Sequence, residues 1–301
     1  MRLFAYRTEP SSDRVRERSR GRYFGEAFPD GLDVEGVDYG KLDADGRVDV
    51  QGSPTAIADL RPGPAISRPG KIVCVGLNYG EHVAEGGRDP RNRPVLFSKF
   101  ANAVIADGEP IVRPQGTHAL DLEVELGVVI GKMARRVAAE DAMDHVAGYV
   151  VVNDVSARDW QGVPAALREG EKGDGQWLRA KGSDTFLPMG PIFVTADEID
   201  LAAGVRLRSW RITPDGTEHG MQDGTTADMI WKVPALIEYI SAAVTLEPGD
   251  ILSTGTPAGV GVFRDPPVFL EPGDRVRCGI DGIGTVENPV IDWSDARDGP
   301  S

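Results

Sequence analysis

The chain has 301 residues and a formal charge of −14, with 47 acidic and 33 basic residues. Because an acidic surface repels phosphate groups, this charge disfavours nucleic acids and anionic membranes as partners. A hydrophobic fraction of 41% is typical of a globular protein, and no apolar run reaches the length that a membrane-spanning helix needs. The N-terminal sequence lacks the apolar stretch of a signal peptide, so we predict a cytoplasmic protein.

The first 70 residues differ in pattern from the rest of the chain. They begin with a short strand-like sequence, MRLFAYR, continue through charged and turn-rich segments, and end in the Pro-rich sequence RPGPAISRPG. That last stretch is typical of a linker. We therefore predict a small N-terminal region at residues 1–70, a catalytic main domain at residues 71–292 and a polar tail at residues 293–301.

The main domain begins with a buried-strand pattern, KIVCVGLN, and continues with short strands separated by Gly and Pro turns. Three helices are predicted, at residues 80–86, 138–145 and 227–243, and Pro234 should begin or kink the last of them. Strands and helices do not alternate regularly, which argues against a doubly wound parallel sheet. The pattern favours an α+β, β-rich fold with a sandwich- or barrel-like core and few peripheral helices.

The segment from Asp121 to Ile130 carries the strongest functional signal. If it forms a strand, Asp121, Glu123 and Glu125 point to one face, and the apolar residues between them point to the other. The strand runs into GVVIG, which is predicted to be buried on both faces. Like charges about 4 Å apart repel by about 4 kcal/mol at an effective protein dielectric, so buried glutamates need a shared proton, a basic neighbour or a cation. The alternative is an exposed strand face with solvated acids.

A second strand supplies another carboxylate. The apolar run at residues 147–152 ends in Asn153 and Asp154, and a side chain that follows a buried strand is well placed to enter a site. Three carboxylates without a Cys or His partner form an all-oxygen site, which suits Mg²⁺, Mn²⁺ or Ca²⁺ better than zinc. The two cysteines, Cys74 and Cys278, lie in apolar strand-like sequence, where we expect buried free thiols.

Seven segments of the main domain occur in a specific order. The most informative are E-x-E-L-x-x-V-I-G and, about thirty residues later, N-D-x-S-A-R-D-x-Q. The other five are KIVCVGLNYGEHVAE, PVLFSK, GQWLRAKGSDTFLPMGP, LEPGDILSTGTPAGVG and PGDRVRCGIDGIGTVENPV. From about residue 71 to about residue 290 the chain resembles the fumarylacetoacetate hydrolase superfamily, and it looks closest to the shorter members of acylpyruvase and 2-hydroxyhepta-2,4-diene-1,7-dioate isomerase type. The resemblance implies a mixed β-sandwich roll and, by analogy, a homodimer.

His82 and Glu85 stand three residues apart, so on a helix they share a face and their side chains can touch. A carboxylate beside a histidine fixes its tautomer and raises its basicity, which suits proton transfer near neutral pH. A solvent-exposed pair without a function is the alternative. In relatives that this chain resembles, N-Y-x-x-H-x-x-E forms a mobile lid helix over the substrate. The resemblance therefore implies that His82 and Glu85 are catalytic.

The resemblance also implies the metal ligands and the substrate contacts. Mg²⁺ is the expected ion, and its expected ligands are Glu123, Glu125 and Asp154. Lys181, one of seven lysines, would hold a substrate carboxylate or a developing enolate, a surface cation being the alternative. The expected substrate contacts are Gln161, Gly255, Thr256 and Tyr79. Arg158 and Asp159 are interpreted as a structural salt bridge beside the metal.

These assignments predict a Mg²⁺-dependent hydrolase that cleaves a C–C bond in a 3-acylpyruvate or fumarylpyruvate-like 2,4-dioxo acid, a reaction type of aromatic catabolism. A small 2-oxo acid would chelate the metal, and His82 with Glu85 would activate the attacking water. The same enolate chemistry without water attack would give a 2-hydroxyhepta-2,4-diene-1,7-dioate isomerase or an oxaloacetate decarboxylase. A 2-keto-3-deoxy sugar acid dehydratase and a non-catalytic, metal-stabilised binding module are further alternatives, and the His82–Glu85 pair speaks against the last.

Overall fold

The structure, a computed structural model, describes residues 1–7, 37–50, 52–87 and 89–296. Its strands are, in chain order, β1 (Arg2–Arg7), β2 (Val37–Lys41), β3 (Arg47–Val50), β4 (Ser53–Ala56), β5 (Ile72–Gly76), β6 (Val95–Lys99), β7 (Val104–Ile105), β8 (Ile111–Arg113), β9 (Leu120–Asp121), β10 (Val124–Ile130), β11 (Val146–Asn153), β12 (Ser156–Ala157), β13 (Leu187–Pro188), β14 (Ile192–Thr195), β15 (Arg206–Ile212), β16 (Glu218–Thr225), β17 (Ile251–Ser253), β18 (Arg275–Ile280) and β19 (Gly284–Asp292). The α-helices are α1 (Gly80–Glu85), α2 (Arg158–Gln161), α3 (Trp177–Lys181) and α4 (Val233–Ser241). Short 3₁₀ helices span Ile57–Asp59, Ala101–Ala103, Ala139–His145, Pro164–Ala166, Ala196–Glu198, Thr226–Asp228 and Gly261–Phe263.

Two large sheets contain most of the strands of the described structure. The larger has eight strands in the order β2-β1-β14-β11-β10-β17-β5-β6, and the smaller has five in the order β16-β15-β18-β19-β8. Three two-stranded pairs complete the set, β9 with β12, β7 with β13 and β3 with β4. The predicted β-rich fold with few helices is therefore confirmed. Within the described residues neither large sheet closes on itself, so of the two predicted cores the sandwich-like one is correct.

One hydrophobic core contains buried residues of both sheets. Val128 and Val150 belong to it from the larger sheet, and Leu207 and Cys278 belong to it from the smaller. Every residue of β10 is buried, which explains why its sequence is apolar on both faces apart from Glu125. The two cysteines are free and buried, as expected.

The predicted helices form with different lengths. The helix predicted at residues 80–86 is α1, and the one predicted at 138–145 is the 3₁₀ helix Ala139–His145. The helix predicted at 227–243 begins only at Val233, with Pro234 in its first turn, where a missing N–H is tolerated. The residues before it are held elsewhere, because the amides of Ile230 and Trp231 donate to Asn78. None of the helices in the described part of the chain has the length and apolar character needed to span a bilayer.

The N-terminal residues contribute two strands to the larger sheet. β1 pairs with β14 in antiparallel register, with Leu3 opposite Phe193, and β2 pairs with β1. The charged segment that follows MRLFAYR and the end of the predicted polar tail lie outside the described residues. The domain boundaries at residues 70 and 292 stay predictions.

Gly148 marks the closest approach between two strands of the larger sheet. A Cβ at this position would lie 2.1 Å from the carbonyl oxygen of Val194 and 2.7 Å from the ring of Phe193. We expect Gly148→Ala to lower the free energy of unfolding by about 1–3 kcal/mol, because a packed core cannot accept the added methyl group without a shift of the backbone. Urea unfolding measures this change.

Gly220→Ala is the matched control, because Gly220 lies on β16 and a Cβ there would meet no atom within 4 Å. An equal loss of stability in both variants would contradict the packing argument.

Candidate functional site

Three carboxylates meet where two neighbouring strands of the larger sheet begin and end. β10 and β11 are antiparallel, with Val124 opposite Asn153, so the start of β10 lies beside the end of β11. Glu123 and Glu125 flank Val124, and Asp154 follows Asn153. One carboxylate oxygen from each of the three residues lies within 4.8 Å of the other two. The strand register thus brings together the set that the sequence predicts as metal ligands.

The same three side chains are withdrawn from solvent. Glu123 is 4% exposed, Glu125 is 1% exposed and Asp154 is fully buried. The alternative of an exposed strand face with solvated acids is therefore wrong. Their mutual repulsion has to be offset within the protein.

Asp121 does not join the cluster, because the predicted continuous strand is interrupted. β9 ends at Asp121 and β10 begins only at Val124. The amide of Val124 donates to the side-chain oxygen of Gln222 at 2.9 Å and not to a neighbouring strand. Asp121 instead accepts from Arg158 Nε at 2.9 Å and from two backbone amides in the 3₁₀ helix Gly261–Phe263. It therefore anchors the surroundings of the site and lies outside the candidate ligand set.

Two lysines and an arginine balance part of the buried charge. Arg158 Nη2 lies 2.6 Å from Glu123 Oε1, and Lys181 Nζ lies 2.8 Å from both Glu123 Oε2 and Asp154 Oδ2. Lys99 Nζ lies 2.7 Å from Asp154 Oδ1. Burial alone would raise the pKa of Glu123, but Arg158 and Lys181 hold it well below its usual range. Glu123 is thus kept ionised, and Asp154 is ion-paired on both oxygens.

Glu125 has a different environment. Its Oε2 accepts from the hydroxyl of Ser253 at 2.6 Å and from the amide of Gly255 at 2.9 Å, and it forms no ion pair with any described residue. Burial, followed by the charges of Asp154 and Glu123, raises its pKa well above the ordinary value. Glu125 therefore binds a proton readily unless another cation takes the place of that proton.

This donor set fits a hard divalent cation. With Asp121 included, four buried carboxylates face three basic side chains, and one negative charge is left over. The ammonium of Lys181 lies between two of the carboxylates, so the space among these oxygens already accepts a positive group. All the candidate ligand atoms are oxygens, which is the donor type that Mg²⁺ and Ca²⁺ prefer.

His82 and Glu85 form the predicted pair on α1. His82 Nδ1 lies 2.7 Å from Glu85 Oε1, and Glu85 Oε2 accepts from the amide of Gly259 at 2.8 Å. The histidine is 6% exposed and packs against Phe263, with 5.9 Å between the ring centroids. The alternative of a solvent-exposed pair is therefore wrong. The carboxylate of Glu85 orients the imidazole and leaves Nε2 free to exchange a proton.

A cavity of about 60 Å³ lies between His82 and two of the carboxylates. His82, Glu123, Glu125 and Lys181 line it together. Its remaining wall is mixed, with apolar contributions from Phe97, Trp177 and Phe263 and polar ones from Arg158, Gln161 and Thr256. A base, a candidate metal site and a cation thus share one small cavity, which is the arrangement expected of an active site.

The residues predicted to contact substrate are placed in two ways. Gln161 and Thr256 line the cavity. Gly255 donates its amide to Glu125 and has φ of +94°, and a Cβ there would lie 2.8 Å from Asn78. Tyr79 is buried immediately before α1 and does not line the cavity. Direct substrate contacts by these four residues stay predictions.

The sequence analysis did not single out two residues of the site and assigned a third the wrong partner. Lys99 is buried and holds Asp154, and its segment, PVLFSK, was matched only as part of the family pattern. Ser253 holds Glu125. Arg158 was interpreted as the partner of Asp159, but it pairs with Asp121 and Glu123, so that interpretation is wrong. Lys99 and Arg158 both follow apolar segments of the sequence. A buried lysine or arginine needs an anionic partner, so their position could have indicated a contact with the carboxylate cluster.

Asp159 has partners of its own. Its carboxylate accepts from the hydroxyl of Thr117 at 2.6 Å and from the amides of His118 and Trp160. It points away from Arg158 because these donors belong to the loop before β9 and to α2 itself. Asp159 therefore fixes the local backbone beside the cavity.

Known proteins resemble this chain along most of its length. The family profile described as "Fumarylacetoacetate (FAA) hydrolase C-terminal" matches residues 71–291. A mitochondrial oxaloacetate tautomerase of Xenopus laevis is 45% identical over 226 residues, which are 75% of this chain and 67% of that protein. The crystal structure of 2-hydroxyhepta-2,4-diene-1,7-dioate isomerase from Mycobacterium marinum is 35% identical, has a TM-score of 0.70, and covers 97% of this chain and 99% of its own. Fumarylacetoacetate hydrolase from Exiguobacterium antarcticum is 30% identical, with a TM-score of 0.73 and coverage of 97% and 99%.

Stabilisation by Mg²⁺ should grow with pH. The raised pKa of Glu125 means that the folded, metal-free protein binds a proton that the unfolded chain releases, so its stability falls as pH rises toward that pKa. A cation that replaces the proton restores the lost stability. We expect the rise in Tm on adding Mg²⁺ to be larger at about pH 8 than at about pH 6. Calorimetry with and without Mg²⁺ measures it.

Glu125→Gln should remove most of this Mg²⁺ effect at both pH values, because an amide has no charge to offer. Asp274→Asn is the control, since Asp274 is an equally buried aspartate that pairs with Arg211 away from the cluster. An Mg²⁺ effect that is independent of pH, or that survives in Glu125→Gln, would exclude Glu125 as a ligand.

Proposed function

The chain belongs to the fumarylacetoacetate hydrolase family, whose members are enzymes, and we propose that it is a divalent-metal-dependent isomerase that interconverts the keto and enol forms of a small 2-oxo dicarboxylic acid such as oxaloacetate. Several relatives that are 42–45% identical to this chain are named oxaloacetate tautomerase. The proposal rests on one observation above all, the oriented base His82 in the same small cavity as the carboxylate cluster.

Glu123, Glu125 and Asp154 would hold the metal, and Mg²⁺ is the proposed ion, with Mn²⁺ and Ca²⁺ as further candidates. When bound, the metal supplies Lewis-acid polarisation of the 2-oxo group and a template for the substrate. It also converts the local surplus of negative charge into a positive one. That change matters because a substrate with two carboxylates would otherwise be repelled by a chain of charge −14.

The proton moves through His82. Glu85 accepts the Nδ1 proton of His82, so Nε2 presents its lone pair. Nε2 removes one proton from C3 of the keto form, the C–H electron pair becomes the C2–C3 double bond, and the carbonyl pair moves to oxygen. The imidazolium then gives the same proton to that oxygen, which forms the enol and restores neutral His82. Lys181, whose ammonium lines the same cavity, stabilises the negative charge that develops on oxygen.

The choice of a short substrate rests on the relatives. Those named oxaloacetate tautomerase are 42–45% identical to this chain, whereas the fumarylacetoacetate hydrolase is 30% identical. The comparison therefore supports a substrate of the oxaloacetate type more strongly than the fumarylpyruvate-like acid predicted from the sequence.

Hydrolysis of a C–C bond in a 3-acylpyruvate is the second candidate. The observation in its favour is the same His82–Glu85 pair, because a base that can remove a proton from carbon can also remove one from water. The solved hydrolase from Exiguobacterium antarcticum has the same fold. Decarboxylation of oxaloacetate would use the same enolate. The predicted homodimer and the predicted cytoplasmic location stay predictions.

A substrate comparison tests the proposal. Purified protein with Mg²⁺ is given oxaloacetate enriched in the enol form, and the decay of enol absorbance is followed while released pyruvate is assayed in the same sample. We expect faster equilibration of keto and enol forms without pyruvate. Pyruvate from oxaloacetate would indicate decarboxylation instead. Pyruvate from a 3-acylpyruvate, with no effect on oxaloacetate, would replace the first proposal with the second.

His82→Ala should lower the tautomerisation rate by about 10²–10⁴-fold, because it removes the only oriented base in the described cavity. Glu85→Gln should lower it by about 10–100-fold, since the imidazole loses the carboxylate that orients it. Mg²⁺ affinity, measured by calorimetric titration, should stay unchanged in both variants.

His219→Ala is the control, because His219 is exposed on β16. Full activity in His82→Ala, with metal still bound, would show that His82 does not carry the proton.

A further inference from the structure

A second cavity lies apart from the site described above. Its volume is about 550 Å³, against about 60 Å³ for the first, and the two share no lining residue. Tyr149 of β11, the segment around residues 196–202 and the segment around residues 226–234 enclose it. The larger apolar side chains in its wall are Met143, Ile199, Leu201, Met229, Val233 and Pro234. This volume and character are those of a pocket for a small molecule.

Tyr149 gives this cavity a polar group that is reached from the cavity. The residue is 1% exposed and lines the cavity, no hydrogen bond joins its hydroxyl to another described residue, and the hydroxyl is not sealed off from solvent. Burial alone raises its pKa to about 12, so the phenol is neutral and can donate. Buried tyrosine hydroxyls almost always have a partner. A phenol that lines a roomy cavity without one is placed to meet a ligand.

The cavity wall is held in place independently of any ligand. Asn78 accepts from the amides of Ile230 and Trp231, and its side chain donates back to the carbonyl of Trp231 at 3.1 Å. At the other end of the same segment, Thr226 accepts from the amide of Val205 at 2.9 Å. These bonds fix the segment on both sides of Met229. The cavity is therefore preformed, so binding of a ligand would not include a free-energy cost for opening it.

The charged residues of the wall are already engaged. Lys232 Nζ donates to the carbonyl of Ala227 at 2.6 Å, and Asp200 accepts from the amide of Ala202 at 3.0 Å. Because one residue is cationic and the other anionic, the wall carries no net charge. Neither an anion nor a cation is favoured, and Tyr149 is the group left to bind a polar atom.

We propose that this cavity is a second binding site, which takes a small, neutral, mostly apolar molecule that carries one hydroxyl or carbonyl group. The apolar wall buries the body of the ligand, and the hydroxyl of Tyr149 bonds its polar group. The site is separate from the proposed catalytic cavity, so it does not depend on the reaction that the enzyme performs.

Binding of 1-naphthol tests the proposal, with its fluorescence as the readout on the full chain. We expect saturable binding of one molecule per chain. Tyr149→Phe should weaken 1-naphthol about 3–10-fold, the usual effect of one lost hydrogen bond, and should leave naphthalene, which has no hydroxyl, unaffected. Tyr239→Phe is the matched control, because Tyr239 is an exposed tyrosine on α4 that does not line the cavity.

Ala202→Trp provides a second variant that does not depend on Tyr149. Ala202 lines the cavity and is exposed, so a larger side chain can fill the entrance without entering the core. We expect it to abolish binding of both probes while the far-UV circular dichroism stays unchanged. No binding to the wild-type chain, or binding that both variants retain in full, would overturn the proposal.

Discussion

The burial of three like-charged carboxylates at one point of the fold is the constraint on which the rest of the site depends. Each such pair about 4 Å apart is unfavourable by about 4 kcal/mol at an effective protein dielectric, and burial adds the loss of hydration. Lys99, Arg158 and Lys181 offset these charges, but Arg158 is shared with a fourth buried carboxylate, Asp121, so one negative charge is left over. The surplus selects for a cation. Once a divalent cation is held there, the balance reverses, and an anionic acid can approach a strongly acidic protein.

The backbone around the carboxylates is specialised for the same purpose. In a regular strand the amide of Glu123 would donate to the backbone of a neighbouring strand. Here it donates to the side chain of Asn153, and the amide of Val124 donates to the side chain of Gln222. The side-chain amides satisfy buried donors that a sheet partner would normally satisfy. The strand can therefore be interrupted without an unpaired N–H, and the interruption separates Asp121 from Glu123. Asp121 thereby becomes an anchor for Arg158, and Glu123 lies with Glu125 and Asp154 in the carboxylate cluster.

The parts of the site that are local in sequence could be predicted, and the parts that depend on sheet order could not. Glu123 and Glu125 are two residues apart, on either side of the first residue of β10, and His82 and Glu85 are three residues apart on α1, so the spacing in the sequence was enough to predict each pair. Lys99 comes from β6, at the far edge of the larger sheet, and no periodicity relates it to Asp154. The shortened last helix has the same cause. Its predicted first residues bond to Asn78, a partner from a distant part of the chain.

The choice between isomerisation and hydrolysis depends on what occupies the space beside His82. In the mechanism proposed above both reactions would use the lone pair of its Nε2, which Glu85 would expose by accepting the other ring proton. In the first reaction the proton comes from C3 of the substrate, and in the second it comes from water, so the two sources compete for one position. Phe263, whose ring packs against that of His82, covers one side of the imidazole with an apolar surface. A substrate whose C3 lies against Nε2 favours isomerisation, and a substrate that leaves room for water at that position favours hydrolysis.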